Sequence, residues 1–494
     1  MENVEESLEL HDKYQFEVKF TYPLDKTVPY TEYNVETFMF IPNNLCVNHT
    51  TYTKDDFYSD MQKYIRLKTP TMLLKNILND DKSPLKALKE AMKTLVSEPN
   101  NELKMLDYKY HLKMFCSIFK SALRDETIFA EKLNDKEDAE DYIKSIIDST
   151  EDIVKKFRDL KDIIHVPGLE NKCYALYLFA DEFVSLSLDK YRYRMIFNLD
   201  KAEVKNKKKI RSELIDLLSA EIEYRKSARY NSCPDEKSDN EELIYRESTL
   251  KKLMGSVLFL KTQTMREGIY IEQIVMGLAA GLAMAFATAV AFLSQSKLEN
   301  FTFSLFMIFV IAYIFKDRMK ELTRIFFHRK IQKRLYDRKT NIYNSLNQKI
   351  GFCKERFAFF KEKDIPELIK KIRNKDYITE LDNGYIGEDI IYSKRFIKIL
   401  SKKCKNLLDD FNVDGINDII RFNIRNFLGK MDNPTRPLFM PIEGDIKKIK
   451  GGRVYHLNMI IKYGMINKQD IYRKFRIILS RNGIKRIKEI PLTI

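Results

Sequence analysis

IEQIVMGLAAGLAMAFATAVAFL (271–293) and FTFSLFMIFVIAYIF (301–315) are two apolar stretches separated by the seven residues SQSKLEN (294–300). The first contains twenty consecutive residues without a charge, and the second belongs to an uncharged run of sixteen. An α-helix of twenty residues is about 30 Å long, which matches the hydrocarbon core of a bilayer. We therefore predict a transmembrane helical hairpin, with helices at about 272–294 and 299–316.

Burial inside a large soluble protein is the alternative account of these stretches. Such long uninterrupted apolar runs, however, exceed the usual length of a core helix. The uncharged runs contain no Asp, Glu, Lys, Arg or His, whereas a transport pathway usually needs an ionisable group. The hairpin is therefore predicted to be an anchor and not a conduit.

Positive charge follows the second stretch. From Lys316 to Lys339 there are ten basic residues against three acidic ones. Positively charged flanks stay on the cytoplasmic side, so we predict an integral protein of an inner or plasma membrane with both termini in the cytoplasm. Anionic lipid is the expected partner of eight cations in this run, namely Lys316, Arg318, Lys320, Arg324, Arg329, Lys330, Lys333 and Arg334.

Small residues recur every four positions in the first stretch, at Gly277, Gly281, Ala285 and Ala289. This spacing places them on one flat face of a helix, where another backbone approaches closely. The bulky second stretch is the first candidate for that partner. A second copy of the chain is the other candidate, so a homo-oligomer remains open.

The segments on either side of the hairpin predict a stalk. Leu243, Leu250 and Val257 repeat at seven residues before it, and an apolar stripe from Phe327 to Leu346 follows it. Because the hairpin returns the chain to the same side of the membrane, we predict that these segments pair as an antiparallel helical stalk of coiled-coil type. A position of the second segment on the membrane surface is the alternative.

Alternating apolar and polar residues predict strands near both ends of the chain. The N-terminal examples are YQFEVKFTYPL (14–24) and YNVETFMFIP (33–42). The C-terminal examples are RVYHLNMIIKY (453–463) and IYRKFRIILSR (471–481), followed by a hairpin turn at Asn482 and the next glycine. We treat as a hypothesis that the N-terminal strands join the C-terminal ones in one domain.

Helices are predicted between these ends. Residues 170–197 form the most apolar helix outside the hairpin, with Asp181, Ser185 and Asp189 along one polar edge. Residues 201–211 hold six basic side chains. A solvated helix face is the usual meaning of such a run, and contact with lipid headgroups or nucleic acid is the alternative.

The resulting fold class is a mainly α membrane protein. It combines a two-helix transmembrane hairpin, a cytoplasmic helical stalk, a helical region and β-containing N- and C-terminal parts of α+β type. Its predicted parts are an N-terminal β-rich segment (1–66), a helical domain (67–236), the stalk with its transmembrane helices (237–362) and a C-terminal α+β domain (363–494).

The best local match to a binding site is an acidic segment with Asp410, Asn412, Asp414 and Asp418. Together with Gly415 these residues resemble the start of an EF-hand loop, in which oxygen side chains at alternate positions bind calcium. We expect short helices on both sides, the second over 415–428. Arg421 occupies the position of the usual bidentate Glu, and Asp414 as the N-cap of the second helix explains the segment without a metal.

Composition limits the other function classes. The net charge is +15, to which the basic run contributes. The six cysteines are scattered, without a CxxC pair or a nearby His, so they indicate neither a zinc site nor a disulfide framework and fit a reducing compartment. The chain contains no phosphate-binding GxxxxGK[ST], no GxSxG and no HExxH. We therefore assign no catalytic residue and leave open whether the protein is an enzyme.

Three hypotheses of function follow. The first is a membrane-anchored cytoplasmic scaffold or signalling protein that binds an unknown protein partner. The second is a membrane-tethered hydrolase or nuclease with an unrecognised site, which a pocket with convergent Asp, Glu or His side chains would favour. The third is an oligomeric pore assembled through the small-residue stripe.

Overall fold

The computed structural model describes residues 4–492 with the exception of 26, 80–81, 134–135, 202–205, 296–302, 333–334, 345–346, 375–386, 405–410, 412, 443 and 467. The strands of this described part are β1 (Glu5–Leu10), β2 (Gln15–Pro23), β3 (Thr31–Pro42), β4 (Met61–Leu67), β5 (Lys261–Arg266), β6 (Arg338–Tyr343), β7 (Lys349–Phe360), β8 (Glu388–Ile399), β9 (Gly415–Asn423), β10 (Thr435–Ile442), β11 (Asp445–Gly452), β12 (Tyr455–Met465), β13 (Ile471–Ser480) and β14 (Gly483–Ile490). The helices are α1 (Lys54–Ser59), α2 (Leu74–Asn79), α3 (Pro84–Ser97), α4 (Glu102–Lys132), α5 (Lys136–Asp159), α6 (Lys161–Ile164), α7 (Asn171–Lys201), α8 (Lys207–Ser227), α9 (Glu241–Gly255), α10 (Ile269–Gln295), α11 (Phe303–Gln332), α12 (Glu367–Asn374) and α13 (Arg425–Leu428).

The predicted fold class is wrong. The chain is 51% helical and 29% strand, and its described strands form large antiparallel sheets. It is therefore not a mainly α membrane protein. Much of this β structure was not predicted, because several strands bury both faces or lie at an edge. The charged and polar residues of such strands do not alternate regularly with apolar ones.

The chain divides into two compact units. The first unit contains Met1–Ile65, Lys261–Lys403 and Asn417–Ile494, and the second contains Arg66–Leu260 and Cys404–Ile416. The first unit holds the sheets together with α10 and α11, and the second is helical.

The first unit is built on an eight-stranded sheet with the order β14-β13-β12-β3-β8-β7-β6-β5. β3 pairs antiparallel with β12 on one side and with β8 on the other. Strands from the two ends of the chain therefore share one sheet. The predicted strands at 33–42, 453–463 and 471–481 are confirmed as β3, β12 and β13.

A four-stranded sheet, with the order β1-β2-β9-β4, covers one face of the large sheet. Inward residues of β2 and β9, such as Phe16 and Phe422, meet Val35 and Met39 of β3 around a common cavity. The opposite face of β3 carries Phe38 and Phe40, which pack against α12. Strand alternation therefore directs one set of side chains into each layer.

The second unit is a helical bundle around two long helices, α4 and α7. α4 packs against α3, α5, α7 and α9. Its Phe115 stacks on Phe157 of α5 with ring centroids 4.8 Å apart, and Phe157 stacks in turn on Tyr177 of α7 at 5.2 Å. These aromatic contacts form the centre of the bundle.

The predicted helical stalk is wrong. α9 ends at Gly255, and the chain then forms β5, which pairs antiparallel with β6. The two segments that flank α10 and α11 do meet as an antiparallel pair, but as strands. The predicted helix over 415–428 is wrong as well, because Gly415–Asn423 is β9.

Candidate functional site

The first candidate site is the surface of α10. Its residues Ile269–Ser294 form a helix that is long and apolar enough to cross a membrane. Most of its large apolar side chains are exposed: Leu278 is 63% exposed, Leu282 58% and Phe292 70%. A helix of a soluble core would have these side chains buried. The part of the α10 surface that α11 does not cover is therefore a continuous apolar face, exposed in the described part of the chain.

The prediction of a second membrane-spanning helix at 299–316, and with it the transmembrane hairpin, is not supported. Among the described residues α10 is the one helix with the length and composition of a span. α11 begins at Phe303, and its apolar part ends at Phe315 before Lys316. These thirteen residues reach about 20 Å as a helix, short of the ~30 Å of a hydrocarbon core.

α10 and α11 pack against each other through small residues, but not through the predicted stripe. The buried residues are Ala279 and Ala283 of α10 and Ala312 of α11. A side chain added at Gly277 or Gly281 would meet nothing within 4 Å. The predicted stripe, which also includes Ala285 and Ala289, lies on the exposed side of α10.

The cations expected to contact anionic lipid lie along α11 beyond its apolar part. Arg318, Lys320 and Arg324 are exposed. The Lys316 ammonium lies 3.9 Å from the centre of the Tyr313 ring. For Arg329 and Lys330 the structure describes the backbone but not the side chains. Lys333 and Arg334 lie outside the described residues.

The chain leaves the large sheet for α10 and returns to it at one place. Arg266, the last residue of β5, lies opposite Arg338, the first residue of β6. The next backbone amide, of Glu267, donates to the Asp337 carbonyl at 3.1 Å. Gly268 then adopts a φ of +90°, which a residue with a side chain rarely adopts, and α10 begins. The pairing of β5 with β6 at the sheet edge therefore holds the start of α10 and the chain after α11 at one place.

The second candidate site is a buried group of charges between the two sheets. Arg395 of β8 lies at its centre. Its Nη2 is 2.6 Å from Asp418 Oδ2 of β9, and its Nε donates to Glu355 Oε1 of β7 at 3.0 Å. Lys63 of β4 forms a further ion pair with Glu355. Tyr22 of β2 donates from its hydroxyl to Asp418 at 3.4 Å. Five strands thus bring their polar residues to one point.

Burial and charge act in opposite directions in this group. Burial opposes ionisation of Glu355, but the charges of Lys63 and Arg395 outweigh it and lower the pKa of that carboxyl. Burial raises the pKa of Asp418, although Arg395 acts against the shift. Burial also raises the pKa of the neighbouring Cys353 thiol to about 12. The thiol is therefore protonated and a poor nucleophile at neutral pH.

The adjoining cavity is small and mostly apolar. Its volume is about 50 Å³, and Glu355 and Arg395 line it together with side chains such as Phe20, Ile420 and Met459. This volume holds a few water molecules at most. The Asp418 and Arg395 side chains are only 2% and 7% exposed, and they bind each other. Convergent charges are present, as the enzyme hypothesis required, but this geometry suits a structural ion pair rather than a substrate site.

A third polar group lies in the helical unit and includes the predicted polar edge of α7. Asp181 accepts hydrogen bonds from the Tyr224 and Tyr230 hydroxyls, both at 2.7 Å. The Arg225 guanidinium donates to Ser185 at 2.8 Å and to Asp189 at 2.5 Å. These acceptors are buried and not exposed along an edge. They join α7 to α8 and the segment after it.

The residues of the EF-hand-like segment have separate environments. Asp410 and Asn412 lie outside the described residues. Asp414 forms an ion pair with Lys68 at 3.1 Å, and Asp418 is bound by Arg395. The helix that an EF-hand needs after the loop is β9. Calcium binding stays a prediction, and among the described residues no three His, Cys, Asp or Glu side chains are grouped to hold a metal ion.

Sequence reasoning missed Lys63, Glu355 and Arg395. The usable signal was a charge in the inward phase of a strand. Glu355 alternates with the buried Cys353 and Phe357, a position where an unpaired charge is costly. A charge at such a position predicts a buried partner of opposite charge on a neighbouring strand.

Comparison with known proteins gives no further assignment. The chain matches no protein-family model, no curated protein and no solved structure.

Proposed function

We propose that the protein is a membrane-attached scaffold or interaction protein, with α10 inserted in a lipid bilayer. The observation that carries the proposal is the exposed apolar surface of α10. Apolar patches of this extent are rare on soluble monomers and mark contact with a membrane or a protein. The length of α10 matches the hydrocarbon thickness, which favours lipid as the partner.

The charges next to the apolar surface support the same partner. Arg318, Lys320 and Arg324 are exposed on α11, directly after its apolar part. Cations at this position interact with anionic headgroups while the apolar residues enter the hydrocarbon. A second copy of the chain would cover the apolar residues but would bring these like charges together.

The β5–β6 pair supports a position of the sheets on one side of the bilayer. Because Arg266 and Arg338 are opposite each other, the chain before α10 and the chain after α11 lie on the same side of a bilayer that α10 enters. The packing of α11 against α10 returns the chain to that side, without requiring that α11 alone has the length of a span. The cations of α11 favour the cytoplasmic side. We therefore propose that both termini are cytoplasmic, with the first unit held at the membrane surface.

The scaffold part of the proposal rests on what the buried groups do. The charges around Arg395 bind one another, and the adjoining cavity is too small for a substrate. Such groups stabilise one arrangement of the sheets. The surfaces of a rigid unit, attached near a membrane, are then available to bind a protein partner.

Flotation of the full chain with vesicles tests the attachment. We expect the protein to float with vesicles and to resist extraction at high salt and at alkaline pH. The double variant Leu278→Lys/Leu282→Lys places two charges on the exposed face of α10. Each exchange costs about 3–4 kcal/mol at the centre of a bilayer, so partitioning falls by at least three orders of magnitude.

The matched control is Leu103→Lys/Leu106→Lys, on an exposed face of α4 in the helical unit. This control should float like the wild type. Wild-type protein that stays soluble without detergent, as monomers or as defined oligomers, would refute the proposal. Equal flotation of the α10 variant and the wild type would also refute it.

A further inference from the structure

β10 and β11 form a separate two-stranded sheet, here called the basic ribbon (Thr435–Gly452). Fourteen of the sixteen residues in its two strands are exposed, and the other two are half-buried. At its base the Arg453 amide donates to the Pro434 carbonyl at 2.9 Å. An isolated pair of strands is marginally stable in water. A strand pair as exposed as this ribbon therefore needs contact with another surface to be stable.

The composition of the ribbon combines apolar and basic side chains. Its exposed apolar residues are Leu438, Phe439, Met440, Ile446 and Ile449. Its basic residues are Arg436, Lys447, Lys448 and Lys450. Exposed apolar side chains next to cations are the pattern of an interfacial membrane element.

The register places the two kinds of side chain on the same face. Phe439 lies opposite Lys448, Pro437 opposite Lys450, and Pro441 opposite Ile446. Cross-strand partners share a face of a sheet. Phe439 and Ile446, which are 68% and 71% exposed, therefore lie beside two lysines whose long stems allow the ammonium groups to reach upward to headgroups.

The position of the ribbon in the first unit agrees with such a contact. All neighbouring strands from β5 to β12 in the large sheet are antiparallel. The end of β5, where α10 starts, and the beginning of β12, which follows the ribbon, are therefore at the same end of the sheet. Both exposed apolar elements leave the sheet at the end that faces the bilayer in the proposed arrangement.

We propose that the basic ribbon is a second membrane-contact element, which lies on an anionic bilayer with Phe439 and Ile446 in the headgroup–acyl boundary. This inference rests on the proposed attachment of α10. A two-stranded ribbon has open edges, so it cannot cross the hydrocarbon and lies in the interface. Nucleic acid would pair with the lysines but would leave the apolar residues in water, which favours lipid.

The test places an environment-sensitive fluorophore on the ribbon in the full chain. The background is Cys46→Ser/Cys233→Ser, because these two cysteines are not buried. One sample carries Phe439→Cys and the control carries Lys468→Cys, an exposed position at the opposite end of β12. Each is reconstituted in vesicles of phosphatidylcholine with or without phosphatidylserine, and brominated lipids serve as quenchers.

We expect a blue shift and quenching at position 439 in vesicles with phosphatidylserine, and neither at position 468. The variant Lys447→Glu/Lys448→Glu/Lys450→Glu should abolish the shift while the protein still floats with the vesicles. A protein that floats but shows no shift at position 439 would overturn the ribbon proposal alone. A shift caused by single-stranded RNA and not by vesicles would overturn it as well. If the unlabelled wild type did not float with the vesicles, the attachment through α10 would instead be refuted.

Discussion

Removal of the guanidinium at Arg395 is the perturbation whose size the structure defines best. Arg395→Met keeps most of the side-chain volume but leaves Asp418 buried without a cation. Glu355 keeps its ion pair with Lys63. Breaking a buried ion pair by removing one partner costs about 3–5 kcal/mol, because the remaining charge stays desolvated. We therefore expect a loss of this size in the free energy of unfolding of the first unit.

Calorimetry of the full chain in detergent measures the effect. At about 2–4 °C per kcal/mol for a domain of this class, the transition of the first unit should fall by roughly 6–20 °C. The control is Arg453→Met. Arg453 pairs with Asp432 at 2.6 Å, but the two side chains are 37% and 64% exposed, and an exposed pair contributes about 0–1 kcal/mol.

A second variant separates the buried charge from the lost packing. In Arg395→Met/Asp418→Leu neither charge remains, so the double variant should be more stable than Arg395→Met alone. Equal stability of wild type and Arg395→Met would refute the reasoning. The reasoning would also be refuted if the free energy of unfolding of the double variant were lower than that of Arg395→Met by the full cost of an independent core substitution.

Two further predictions concern titration and reactivity in the first and second units. Burial raises the pKa of Glu6 to about 7, with Glu489 adding to the shift and Arg473 opposing it. The unfolded carboxyl ionises near pH 4.5. Glu6 therefore contributes fully to the free energy of unfolding below that pH, and this contribution is lost as the pH rises through 7. From about pH 5 to pH 8 the melting temperature of Glu6→Gln should fall less than that of the wild type or of the exposed control Glu9→Gln. A maleimide should label Cys46 first, because it is the one exposed cysteine of the six. Cys46→Ser should remove the fast phase, while the half-buried Cys233 reacts more slowly. Fast labelling that survives Cys46→Ser would contradict this assignment.

Local sequence pattern predicted the strands that have one apolar face. β3 and β12 alternate clearly, and Asn482 with Gly483 predicted the turn between β13 and β14, where Gly483 has a φ of +122°. The hypothesis that strands from the two chain ends share a domain agrees with the β3–β12 pairing. That hypothesis followed from where the helical region begins and ends rather than from any pairing signal.

Other strands could not be predicted, because their partners and not their own residues decide their conformation. β5 reads KTQTMR and is exposed throughout, so it offers no apolar face to recognise. In β9 the polar Asn417 and Asp418 are buried among isoleucines, and this breaks the alternation that would have separated a strand from a helix. The charged group around Arg395 was hidden for the same reason, since its members come from strands far apart in sequence.

The central position of β3 has a consequence for the order of assembly during synthesis. β3 leaves the ribosome long before β8 and β12, between which it pairs, because these two strands are made after α10 and α11. The large sheet therefore cannot be completed until β12, β13 and β14 have been made, and contacts so distant in sequence form slowly. The helical unit, whose main segment Arg66–Leu260 is continuous, can assemble earlier. An exposed apolar α10 would emerge before the sheet that holds both of its ends exists, so early capture of α10 by a membrane would also keep the unfinished sheet strands from aggregating.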